Sequence, residues 1–94
     1  MSDTENSKEA VLRVASTSPV KSLAAAISNA VYDGKQVTLR CIGASSVNQA
    51  VKALAIGQQY VGQRGLVLAC RPGFITVNTK TGDTSVILLR VFTI

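Results

Sequence analysis

Histidine and tryptophan are both missing from this chain of 94 residues, and its aromatic complement is two tyrosines and two phenylalanines. Carboxylates are almost as scarce. Of the five, Asp3, Glu5 and Glu9 fall within the first ten residues, and the other two, Asp33 and Asp83, each stand beside a glycine. General acid–base catalysis needs a positioned group that titrates near neutrality, and a metal centre needs several ligands. Neither can be assembled here, and Asp33 and Asp83 read more simply as turn formers. The two cysteines, Cys41 and Cys70, lie in apolar strand-like runs without zinc or redox spacing. Each is expected to be a small buried hydrophobe, and with no histidine to activate a thiol neither is a nucleophile. A non-enzymatic protein without metal or cofactor is expected.

Long hydrophobic runs are missing too. Hydrophobic residues make up 47% of the chain, but Gly, Pro and charges break them into pieces too short to span a bilayer. No stretch near Met1 resembles a signal peptide. The expected setting is the reducing cytoplasm, including association with the nucleoid, and no membrane. What the chain does have is positive charge. The formal net charge is +5, yet Met1 to Ala10 hold three acids and one base, so residues 11–94 are more cationic still. A polyanion such as nucleic acid suits that excess.

The polar, aperiodic residues 1–10 read as a disordered acidic tail and residues 11–94 as one domain. Val11 to Ala15 alternates as a half-buried strand does, with Leu12 and Val14 opposite Arg13. Ser18 and Pro19 then fit the N-cap and first position of a helix. Val20, Leu23, Ala24, Ile27, Ala30 and Val31 recur at helical spacing up to Asp33-Gly34. A second strand over 37–42 puts Val37, Leu39 and Cys41 on one side and Thr38 and Arg40 on the other. Ser46 to Gln49 fits a capping box opening a second helix that ends near Gly62. A third strand starts at Leu66, breaks at Pro72-Gly73 in what reads as an edge-strand bulge, and turns at Lys80 to Asp83 into a final strand. The order β-α-β-α-β-β, with right-handed crossovers, predicts a two-layer α+β fold. Both helices should cover one face of a four-stranded mixed sheet and leave the other open.

The second helix has two apolar or small stripes, more than one sheet-facing side requires. Gln49, Ala53, Ile56 and Tyr60 form the second, and Ala50, Ala53 and Gly57 are small enough for another helix to approach closely. Two readings stand for it: a homodimer interface, or close packing within the monomer.

Two basic or polar groups are candidates for binding. The turns Ser16-Thr17-Ser18 and Ser45-Ser46 each lead from a strand to a helix N-terminus, where backbone N–H groups and hydroxyls suit a phosphate. Asn48, Lys21 and Lys52 would lie near them, although capping alone also explains Ser18 and Ser46. Arg13, Arg40 and Arg90 should line the open sheet face, and the bend leaves the side taken by Arg71 undecided. A nucleic-acid surface and a face kept soluble by charge are both consistent with those arginines.

From Val11 onward the chain resembles the stage V sporulation protein S family, small bacterial proteins with an Alba-like fold. The resemblance is carried by Val14-Ala15-Ser16, Ser18-Pro19-Val20, Ile42-Gly43-Ala44, Val47 to Ala53 with Ala55-Ile56, and Ala69 to Phe74. Asn48, Gln49 and Lys52 in that segment are not demanded by helix periodicity. The resemblance implies a dimeric regulatory protein linked to development that binds DNA or RNA with low sequence selectivity, and Lys80 near the hairpin tip suits an Alba-like arm. The alternative is a regulatory protein-interaction module in which Asn48, Gln49 and Lys52 meet a protein instead of phosphate.

Overall fold

The computed structural model describes residues 8–94. Six elements follow one another: β1 (Glu9–Val14), α1 (Val20–Tyr32), β2 (Gln36–Cys41), α2 (Ala44–Gly62), β3 (Leu68–Thr79) and β4 (Gly82–Thr93). The sheet order is β1-β2-β4-β3, with β1 parallel to β2 and β4 antiparallel to both of its neighbours. The two crossovers, β1-α1-β2 and β2-α2-β3, step in the same direction across the sheet. Right-handedness therefore puts both helices on one face, as expected from the sequence.

The first strand begins two residues before Val11. Glu9 lies opposite Gln36 and Ala10 opposite Val37, and the Gln36 N–H donates to the Lys8 carbonyl at 2.8 Å. Lys8 to Ala10 thus pack with the domain, which corrects the expected tail boundary; the rest of that expectation, residues 1–7, lies outside the described residues.

Alternation along the strands sends Leu12 and Val14, Val37, Leu39 and Cys41, and Leu89 and Val91 toward the helices. There they meet Leu23, Ala24, Ile27 and Ala30 of α1 and Ala50 and Ala53 of α2. The two helices also touch each other through small residues. A Cβ built on Gly57 would stand 3.6 Å from the Ser28 hydroxyl and 3.7 Å from the Ala24 carbonyl. Ser28, buried at this contact, satisfies its hydroxyl by donating to the Ala24 carbonyl at 2.9 Å.

The helix ends differ from the expectation in detail. Gly34, at φ 74°, lets the Lys35 N–H reach the Ala30 carbonyl and its own N–H reach Val31, which closes α1 as foreseen. The same pair of bonds, with Gly65 at φ 77° in the role of Gly34, closes α2 behind Gly62, the end expected from the sequence. Neither serine cap forms. Pro19 is the N-cap of α1, and the Ser18 hydroxyl instead accepts the Ala15 N–H at 2.8 Å. Gly43 precedes α2, so Ser46 falls inside its first turn, buried, with its hydroxyl between the carbonyls of Ile42 (2.7 Å) and Gly43 (2.8 Å). A hydroxyl held away from water takes the nearest free carbonyl, and no capping box results.

No bulge occurs at Pro72-Gly73. β3 pairs one-to-one with β4 from Leu68 opposite Thr93 to Thr79 opposite Gly82, with Pro72 opposite Leu89. Ile94 N–H donates to the Val67 carbonyl at 2.9 Å, so the hydrogen-bonded pairs involve the odd-numbered residues of this strand. Pro72 falls between them, and its missing N–H faces the unpaired side of an edge strand, where it interrupts no ladder.

Both cysteines are free, but only Cys41 is buried; Cys70, on the edge strand, is exposed, which corrects the expectation for it. Burial raises the Cys41 thiol pKa above its ordinary value. A chromogenic disulfide reagent at pH 8 is expected to modify Cys70 of the folded chain, fastest at dilutions that leave it monomeric, and Cys41 only after unfolding; two equally fast thiols would contradict this packing. At the helix contact, Gly57→Ala should fit at ordinary van der Waals distance and stabilise α2 by up to about 1 kcal/mol. Gly57→Leu should overpack the contact and lower stability by about 1–3 kcal/mol in urea unfolding.

Candidate nucleic-acid interface

Because β1 and β2 are parallel, the turns that follow them leave the same end of the sheet. The Gln49 side-chain amide donates to the Ser18 carbonyl at 2.9 Å and ties the two turns together. Ser16, Thr17, Ser45, Lys21 and Asn48 are exposed in those turns and the helical turns that follow, and Lys52, also exposed, stands further along α2. Ser18 and Ser46 are less available, since both hydroxyls already bond to backbone. β4 pairs with β2 only over Ile87 to Val91, so Gly82 to Val86 and their β3 partners run on past Cys41 as a two-stranded arm. The arm leaves the sheet at the end where both turns lie, with Lys80 in its tip.

The open face holds the arginines. Register puts Arg13 directly opposite Arg40 and, in the next row, Arg90 opposite both Thr38 and Arg71. Arg71 thereby joins Arg13, Arg40 and Arg90. Counting the alternation straight through Pro72-Gly73 would have found it, and the supposed bulge hid it. Four of the five arginines in the chain thus share one face, where Arg40 is half-buried and the other three exposed. Like charges directly opposite each other on a sheet are destabilising, and here two such pairs occupy adjacent rows. The fifth, Arg64, lies over the Tyr32 ring at 3.8 Å, while the Tyr32 hydroxyl donates to the Tyr60 carbonyl at 3.2 Å and pins the two helix ends. Lysines do not converge in this way: Lys21 is on α1, Lys52 on α2 and Lys80 in the tip of the arm.

The second stripe of α2 is largely occupied within the chain. Ala53 is fully buried, Gly57 packs against α1, and Gln49 is spent on the Ser18 carbonyl. Ala53 and Gly57 therefore offer no surface to a partner. Ile56 packs against the core, and Tyr60 is left at the margin, 37% exposed. What remains open is a different strip, where Val51, Leu54 and Ala55 face Leu68, Ala69 and Cys70 of the edge strand across a groove of ≈ 300 Å³. Gln58 closes one side of it, accepting from the Leu68 N–H at 2.6 Å and donating to the Leu66 carbonyl at 3.0 Å. Nothing in the helical periodicity had marked Gln58 as a clamp on β3.

No helix among the described residues is long and apolar enough to cross a membrane, and no group of three or more metal-binding side chains occurs among them. In overall architecture the chain is similar to Alba from Thermoplasma volcanium, with a TM-score of 0.60 over 87% of this chain and 98% of that one, at 14% sequence identity. That likeness is one of fold, and it fits the two-layer arrangement of helices and mixed sheet described above. Residues 10–94 match the family Stage V sporulation protein S (SpoVS), and with nearly the whole domain covered, this chain is a member of that family built on an Alba-like fold.

Proposed function

We propose that this protein is a cytoplasmic, non-enzymatic regulator that binds nucleic acid with low sequence selectivity through its arginine-bearing sheet face. The observation that carries the reading is the pairing of Arg13 with Arg40 beside Arg71 with Arg90. Two adjacent like-charge pairs weaken an empty sheet, and phosphates seated among them relieve the repulsion while accepting guanidinium hydrogen bonds. The turn residues Ser16, Thr17 and Ser45, with Lys21, Asn48, Lys52 and the Lys80 arm, supply further exposed donors toward one end of that face. Low selectivity follows from the donor set, since these side chains suit phosphate positioning and few aromatic platforms accompany them.

Self-association is the second part of the proposal. The occupant of the groove between α2 and β3 is a second copy of this chain. Val51 is 53% exposed among apolar neighbours, and the edge strand beside it has one side without a partner. In sedimentation, the wild-type chain should run as a dimer and Val51→Asp as a folded monomer. A wild-type monomer at every concentration would refute the assignment.

For nucleic acid, four phosphate contacts give a slope of log affinity against log salt of about −3.6 on duplex DNA and about −2.8 on a single strand. Fluorescence anisotropy should show that slope, and Arg13→Ala with Arg40→Ala should make it shallower by roughly 1.4 to 1.8. Absence of binding to duplex DNA, single-stranded DNA and RNA at low salt would refute the proposal and redirect the search to a protein partner.

A further inference from the structure

A hollow of ≈ 540 Å³ opens at the end of the arginine face away from the arm, and Arg71, Arg90, Phe92, Lys35, Gln36 and Thr38 are among the residues lining it. We infer that this hollow is a subsite for one unpaired nucleotide, with its base on the Phe92 ring and its phosphate between Arg71 and Arg90. The inference rests on the nucleic-acid reading above and narrows it to a single residue of an unpaired strand.

Three features carry it. Volume comes first: the hollow falls within the size range of pockets that hold small ligands. Charge is second. Arg71 and Arg90 are direct cross-strand neighbours, Lys35 stands in the turn just before β2, and the lining contains no carboxylate. A phosphate oxygen pair matches the planar fork of a guanidinium, and one phosphate shared by two guanidiniums neutralises their repulsion.

The third feature is the ring. Phe92 lies two residues beyond Arg90 on the same strand, and therefore on the same face, and is 49% exposed at the rim of this cationic hollow. An aromatic side chain half in water beside arginines gains apolar contact when a base stacks on it. Bases inside a duplex are already stacked on one another, so only an unpaired one can lie flat on the ring. Gln36 and Thr38 add hydrogen-bonding groups to the lining for the sugar or the base edge.

The same hollow could be filled by a free nucleotide or by a residue within a strand, and the test separates these. Amide shifts of the full chain would be followed by two-dimensional NMR during titration with adenosine monophosphate, adenosine, inorganic phosphate and a five-residue single strand. The mononucleotide should perturb Gln36, Thr38, Arg90 and Phe92 and bind about tenfold tighter than phosphate alone, and the strand should bind tighter again. Phe92→Ala should remove the advantage of nucleotide over phosphate, Phe92→Leu should do the same while keeping apolar bulk for the fold, and Arg71→Ala should weaken nucleotide and phosphate alike. Shifts confined to other regions, or folded Phe92 variants that bind as the wild type does, would overturn the subsite and leave salt-dependent binding at Arg13 and Arg40 intact. Mononucleotide binding without strand binding would instead uphold the hollow as a nucleotide site and overturn the nucleic-acid reading.

Discussion

Twelve consecutive residues of β3 and β4 pair without a slip from Leu68 and Thr93 to Thr79 and Gly82, straight past Pro72. A shift of one residue in that register would turn every side chain of the strand to the other face. Arg71 would then point toward the helices, Cys70 away from them, and the four-arginine face would lose a corner. The register also sets the length of the arm beyond β2 and forms the wall of the hollow at the opposite end. Since β4 lies between β2 and β3, its other edge transmits the same alignment to Thr38 and Arg40.

The helical layer is held by different means. Alanine, serine and glycine bring α1 and α2 close enough for backbone and side chain to touch, as at Gly57 and Ala24. Two glutamines then attach α2 to the irregular parts of the chain: Gln49 holds the turn before α1, and Gln58 holds the start of β3. Both act through side-chain amides on backbone groups, which orients a turn and a strand without adding apolar bulk. The turns that carry Ser16, Thr17 and Ser45 are thereby fixed relative to the sheet.

Much of this was legible in the residue pattern. Alternation at Arg13, Arg40 and Arg90 assigned their faces, helical spacing found both helices, and crossover handedness put them on one side of the sheet. What escaped was decided by tertiary context. Ser18 and Ser46 fit cap positions by spacing, but the helices start from caps one residue after Ser18 and three residues before Ser46, which gave their hydroxyls other partners. The second stripe of α2 was visible, whereas the choice between α1 and a second subunit as its cover depends on how closely two helices approach. Pro72-Gly73 carries the local signature of a bulge, yet its position between hydrogen-bonded pairs of an edge strand removes the need for one. Cys70 sits in an apolar run whose burial ends where the helices stop covering the sheet.

Pro72 has one more consequence. Its nitrogen faces outward midway along an edge of twelve residues, so a foreign strand approaching that edge finds a donor missing at its centre. Continuous strand addition, the route by which exposed edges template aggregates, is interrupted there. Association along this side of the molecule is thus steered toward side-chain contacts and away from an extended intermolecular sheet.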